Sequence, residues 1–91
     1  MSVTKHDHLP FVRVDANGSI ESNWDVEKHR SGDYGKDCAL GRSFCNALFM
    51  RMHLDGYPLL LSRTLEAQVR AGKWGAIEIG FAQQLSEEIS T

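Results

Sequence analysis

Between residues 74 and 89 apolar side chains recur every three or four positions, at Trp74, Ile77, Phe81, Leu85 and Ile89. This spacing decides the fold class, because a shorter pattern competes with it. Ile77, Ile79 and Phe81 alternate with Glu78 and Gly80, as along a strand with one buried face. The alternation stops at Phe81, whereas the helical spacing continues in a segment rich in Ala, Gln, Leu and Glu, which are good helix formers. The pattern therefore predicts a helix over residues 74–89 with those five apolar residues on its inner stripe. Gly75, Ile79, Ala82 and Ser86 then share the opposite side, a second face of small residues plus one isoleucine.

Two more helices precede it. In residues 38–54, Cys38, Leu40, Phe44, Cys45, Leu48, Phe49 and Met52 fill an arc of about half a turn when successive residues are placed 100° apart. An arc this wide belongs to a central helix touched on two sides, with Phe44 and Leu48 in the core. Asp55 and Gly56 end it, since glycine is the usual residue after a helix C-terminus. Pro58 suits the first turn of the next helix, residues 58–71, which Gly72 closes. Leu61, Leu65 and Val69 form its expected inner stripe, with Arg63, Glu66 and Arg70 opposite and Glu66 and Arg70 paired at i, i+4.

The N-terminal part reads differently. Across residues 9–26, Val12, Val14, Ile20, Trp24 and Val26 are spaced by even numbers around a turn signal, Asp15-Ala16-Asn17-Gly18. A two-residue Asn17-Gly18 turn would mix the faces of this hairpin. A three-residue loop, Ala16 to Gly18 with Gly18 left-handed, pairs Val14 with Ile20 and Arg13 with Glu21, which separates an apolar face from one carrying an ion pair. Residues 1–8 read as a mobile tail and residues 27–37, with two glycines and many charges, as a polar connector. The expectation is a single α+β domain over residues 1–91, an N-terminal β-hairpin packed against a three-helix C-terminal region.

Charge limits the partners. A net charge of -2 and an isoelectric point near 6.0 give no general attraction to nucleic acid or anionic membrane, and no apolar run approaches the ~20 residues of a membrane span. The chain is expected to be cytoplasmic. Residues 36–73 nevertheless hold six Lys/Arg against three Asp/Glu. Cys38 and Cys45 on one helix lie roughly 10 Å apart, beyond disulfide reach.

His6-Asp7-His8 offers metal-ligand types but no fixed third or fourth partner. Cys38 and Cys45 share a face with Phe49, as buried structural thiols do, and His53 lies too far around the helix to form a dyad with Cys45. Asp25, Glu27, His29, Asp33 and Asp37 supply carboxylates and an imidazole in or beside the connector, the raw material for a small enzyme, at spacings matching no catalytic motif. Read as a helix-turn-helix, the helices from Pro58 onward would place Glu78, Glu87 and Glu88 in the reading element, where phosphate repels them. A DNA-binding regulator would instead use Arg42, Arg51, Arg63 and Arg70. The preferred reading is a non-enzymatic protein-interaction or regulatory module that self-associates, two-chain symmetry being the commonest remedy for a small domain with surplus apolar faces. Its expected homodimer interface is Gly75, Ile79, Ala82 and Ser86, with no cofactor, metal or membrane involved; DNA binding and the connector enzyme are the alternatives.

Overall fold

The turn at residues 15–19 follows from its side chains. In the computed structural model, which describes residues 9–90, Asp15 Oδ1 accepts the backbone N–H groups of Asn17 and Ser19 at 2.8 and 2.9 Å, and Gly18 takes a left-handed φ of 82°. This joins β1 (Arg13–Val14) to β2 (Ile20–Ser22) as an antiparallel ribbon. Val14 lies opposite Ile20 as the loop length requires. A register shift then sets Arg13 opposite Ser22 rather than Glu21, although Arg13 Nε still reaches Glu21 Oε1 at 3.0 Å. The extra residue re-aims the chain beyond the ribbon. Ser22 Oγ bonds both the N–H and the carbonyl of Trp24, and Trp24 and Val26 turn into the core while Val14, at 37% exposure, does not.

A 3-10 turn at Glu27–His29 leads to α1 (Tyr34–Asp55), α2 (Leu59–Ala71) and α3 (Ala76–Ser90). The architecture is α+β, with the hairpin followed by three helices. α1 starts four residues before the position that apolar spacing gave, because Asp33 caps it by accepting the Lys36 N–H at 2.9 Å. The first turn of α1 thus comes from the polar connector. Gly56 and Gly72 close α1 and α2 in left-handed conformation.

Leu9, Phe11, Trp24, Val26, Phe44, Cys45, Leu48, Leu60, Ile77 and Phe81 form the core. The Trp24 ring sits 5.1 Å from both Phe11 and Phe81 and 6.1 Å from Phe44, an arrangement of tilted and edge-on rings that adds to the stability from burial alone. α1 and α3 pack backbone to backbone. A Cβ at Gly41 would lie 2.8 Å from Phe81 N and would overlap the Ile77 carbonyl; one at Gly80 would lie 2.7 Å from the Cys38 carbonyl carbon and overlap its oxygen.

Two expected stripes are corrected. In α3, Ile77 and Phe81 are fully buried, but Trp74 is 55% and Ile89 72% exposed. Trp74 precedes the first helical residue and so escapes the helical face, and the buried positions of α3 end at Phe81. In α2 the buried residues are Leu60, Thr64 and Gln68 rather than Leu61, Leu65 and Val69. The short turn at residues 56–58, where Gly56 and Tyr57 both donate to the Met52 carbonyl, sets the rotation of α2 one residue away from its apolar stripe. Leu61 and Leu65 pack at the edge of the core and Val69 is 72% exposed.

Candidate functional site

The connector residues are consumed by structure. Asp25 pairs with Arg13 at 3.1 Å, Asp33 caps α1, and His29 Nε2 lies 3.1 Å from the Pro10 carbonyl oxygen with its ring edge-on to Phe44. Asp37 is buried and takes hydrogen bonds from Ser31 Oγ, 2.7 Å away, and from the Ser31 N–H; the hydroxyl bond, first of all, holds its pKa below the usual carboxylate value.

Glu27 belongs to a longer chain of charges. It pairs with Lys73 and Arg30, each at 3.0 Å, and these bonds lower its pKa. Arg30 continues to Glu78 at 2.7 and 3.0 Å. Glu78 is 1% exposed and also accepts from Trp24 Nε1 at 2.9 Å and from the Gly75 N–H at 2.9 Å. Burial would raise its pKa, but these donors outweigh that and keep it lowered. Glu78 is three residues after Gly75, the capping-box position, which is the signal in the sequence that could have revealed it. The network ties the connector to α3, with Glu78 buried at its inner end and Glu27 and Lys73 exposed at its outer end.

The four arginines fall in three places. Arg42 reaches from α1 to Glu87, Gln83 and Gln84 of α3. Arg51 lies 4.0 Å from Asp55 and beside Leu9, Pro10 and Leu54. Arg63 and Arg70 share a groove with Glu21 and Glu66, where Arg70 pairs with Glu66 at 3.0 Å and Arg63 Nε bonds the Tyr57 hydroxyl at 2.8 Å. Three of the four are thus neutralised by carboxylates of this chain. The thiols of Cys38 and Cys45 are free, and burial, reinforced by the negative charge of Glu88, pushes Cys45 up to about 12. His6-Asp7-His8 lies outside the described residues, as does the tail 1–8. Among the described residues no three His, Cys, Asp or Glu side chains are placed to share a metal ion, and no helix is long and apolar enough to cross a membrane.

Gly75, Ile79 and Ala82 are half-buried and Ser86 is exposed, so the outer face of α3 is accessible, and Ile79 is not among the side chains packed on the core. A larger apolar surface lies where the end of α1, the start of α2 and the end of α3 converge. A hollow of about 700 Å³ there is lined by Phe49, Met50, Met52, His53, Gly56, Pro58 and Glu88. Met50 also borders a second hollow with Leu9, Pro10, Ala47 and Leu54. Met50, Leu54, Leu59 and Ile89 are 65%, 70%, 55% and 72% exposed. Met50 lines the first hollow, Leu54 shares the second with it, and Leu59 and Ile89 follow the lining residues Pro58 and Glu88 in the chain; a concavity with apolar walls and His53 and Glu88 as its polar groups can bury a complementary apolar surface. The exposed members sit on the outer side of core-forming helices, so periodicity read from the sequence assigned them to no site. Comparison with protein families, characterised proteins and solved structures found no match to this chain.

Proposed function

We propose that this protein is a non-enzymatic protein-interaction module that self-associates through its apolar end. The observation that carries this reading is exposed Met50, which lines the hollow at the α1–α2 corner and shares a second hollow with exposed Leu54, while exposed Leu59 and Ile89 directly follow the lining residues Pro58 and Glu88 in the chain. Burying apolar area is the main favourable term in association, and methionine adapts its shape to a partner surface. Exposed side chains of this size on a small domain cost solubility unless something covers them, and a second copy is always at hand. The free thiols suit a reducing compartment such as the cytoplasm.

Sedimentation velocity over a range of concentrations tests the reading. The wild-type chain is expected to show a concentration-dependent dimer, and Leu54→Glu is expected to shift it to monomer with unchanged helical circular dichroism, because a charge would be desolvated only at the interface. A wild-type chain that stays monomeric throughout, or a Leu54→Glu dimer of unchanged strength, rejects it. The half-exposed Ile79, outside the core, supports a second reading in which Gly75, Ile79, Ala82 and Ser86 form the contact. Under that reading Ile79→Glu, and not Leu54→Glu, gives the monomer.

A further inference from the structure

On the other side of α2 a groove runs between that helix and β2. Its first part, of about 400 Å³, is lined by Glu21, Ser22, Asn23 and Trp24 on one wall and by Arg63, Glu66, Ala67, Arg70 and Ala71 on the other. Its second part, of about 190 Å³, continues past Asn23 and Arg63 to Ile20, Tyr57 and Leu60. From Leu60 to Ala71 the helical wall is about 17 Å long, the length of roughly five extended residues. In the facing wall Ile20, Glu21 and Ser22 belong to β2, which pairs with β1 on one edge, and among the described residues no third strand pairs with the other. A strand edge beside a helix is the arrangement in which an extended peptide is added to a sheet, its main chain bonding to the edge and its side chains entering the groove.

The charges of the groove point to what that peptide carries. Glu21 is engaged by Arg13 and Glu66 by Arg70, each at 3.0 Å. Arg13, Arg30, Arg42, Arg51 and Arg70 each have a carboxylate of this chain within 4.0 Å. Arg63 differs: its hydrogen bond goes to the Tyr57 hydroxyl, and among the described residues no carboxylate lies within ion-pairing distance of it. This guanidinium, whose fork matches a carboxylate, borders both parts of the groove. The groove continues on both sides of it, so an incoming carboxylate belongs to a side chain in the middle of a segment and not to a chain end.

We propose that the β2–α2 groove binds an extended peptide segment with an Asp or Glu side chain at its centre, held by Arg63 while its main chain adds to the free edge of β2. This surface is separate from the apolar end, so either proposal can fail without the other.

The test is a titration of the isotopically labelled protein with a blocked peptide, acetyl-Thr-Val-Thr-Asp-Val-Thr-Lys-amide, followed by backbone amide NMR. Three further peptides accompany it: one with Asn for Asp, one with the same Asn and a free C-terminal carboxylate, and one with the Asp kept and Pro for both flanking residues. The expected result is saturable shifts confined to residues 20–24 and 57–71, with affinity about tenfold weaker for the Asn peptide and lost for the Pro peptide, which cannot donate to a strand edge. Arg63→Gln is expected to bind the Asp and Asn peptides equally, and Arg70→Gln to retain the difference. Five outcomes overturn the proposal: no saturable shift, shifts centred on Met50 and Leu54, equal binding of Asp and Asn peptides by the wild-type chain, recovery of affinity by the free C-terminal carboxylate, or shifts at residues 20–24 that grow with protein concentration alone. The last would mean that a second copy occupies the groove.

Discussion

Replacing Gly80 by alanine adds one methyl group where α1 and α3 pack backbone to backbone. Its Cβ would fall 2.7 Å from the carbonyl carbon and 2.8 Å from the Cα of Cys38, overlapping the carbonyl oxygen. Ordinary carbon contacts need about 3.5 Å or more, so the helices must part by roughly 1 Å. The obstacle is backbone, which cannot swing aside as a flexible side chain can. Overpacking costs about 1 to 3 kcal/mol and occasionally more, and the upper end applies here. Alanine in place of glycine within a helix returns up to about 1 kcal/mol. The net expectation is a loss of about 2 kcal/mol, a large share of the 5 to 15 kcal/mol that hold a domain together, and a fall in Tm of about 10 °C. Thermal and guanidinium unfolding followed by circular dichroism measures it. Gly41→Ala meets the Ile77 carbonyl across the same contact, so the double variant should lose less than the sum, because one parting accommodates both methyls. Gly35→Ala is the control: its Cβ meets only Asp33 Oδ1, at 3.6 Å, and it should leave Tm equal or higher. A Gly80→Ala protein melting at or above the wild-type temperature refutes the close-crossing argument.

Gly18→Val should cost about 1 to 2 kcal/mol, because a branched residue is strained at φ 82°; an unchanged melt would show that the turn does not set the hairpin register. The lowered pKa of Glu78 makes stability pH-dependent with a definite sign. A carboxylate with a depressed folded-state pKa contributes its full stabilisation above its unfolded value of about 4.3 and loses it as pH falls through the folded value. Denaturant midpoints should therefore drop below about pH 4, and Glu78→Gln should lower the midpoint at pH 7 while flattening that acid limb. An equally steep limb in the variant would assign it to other groups.

Much of the architecture was legible because helices and hairpins announce themselves by spacing. The periodicity through residue 85, Gly56 and Gly72 as terminators and Gly18 in the loop were each sufficient for the element they define. What spacing could not give was rotation and contact. A turn of three residues rotated α2 so that Thr64 and Gln68 face inward, and binary patterning has no access to that. Gly41 and Gly80 interrupt otherwise apolar helices, and such interruptions mark close approach when they pair, but one sequence does not say which glycine meets which. Spacing alone cannot tell Glu78 from a surface charge, because its hydrogen-bond partners Arg30 and Trp24 are 48 and 54 residues away. The apolar end was invisible for the opposite reason: Met50, Leu54 and Ile89 lie in helices whose apolar content was already assigned to a core.

α2 is where these two kinds of information collide. Its inward stripe holds Leu60, Thr64 and Gln68, of which Thr64 bonds the Leu60 carbonyl at 2.9 Å and Gln68 is 1% exposed with neither amide atom hydrogen-bonded. A buried amide without partners costs about 1 to 3 kcal/mol. α2 is also one wall of the β2–α2 groove and borders the apolar end through Pro58, so both proposed contacts touch the least satisfied helix of the fold. Its amides should therefore exchange with solvent through a local opening of lower free energy than those of α1 and α3, whose backbones are locked at Gly41 and Gly80. Gln68→Leu removes both unpaired atoms at similar volume and should stabilise the chain by about 1 to 3 kcal/mol, with the gain in hydrogen-exchange protection concentrated at residues 59–71. If the variant is less stable than wild type, or if α2 already exchanges only by global unfolding, Gln68 has a partner such as a buried water and α2 is no looser than the rest.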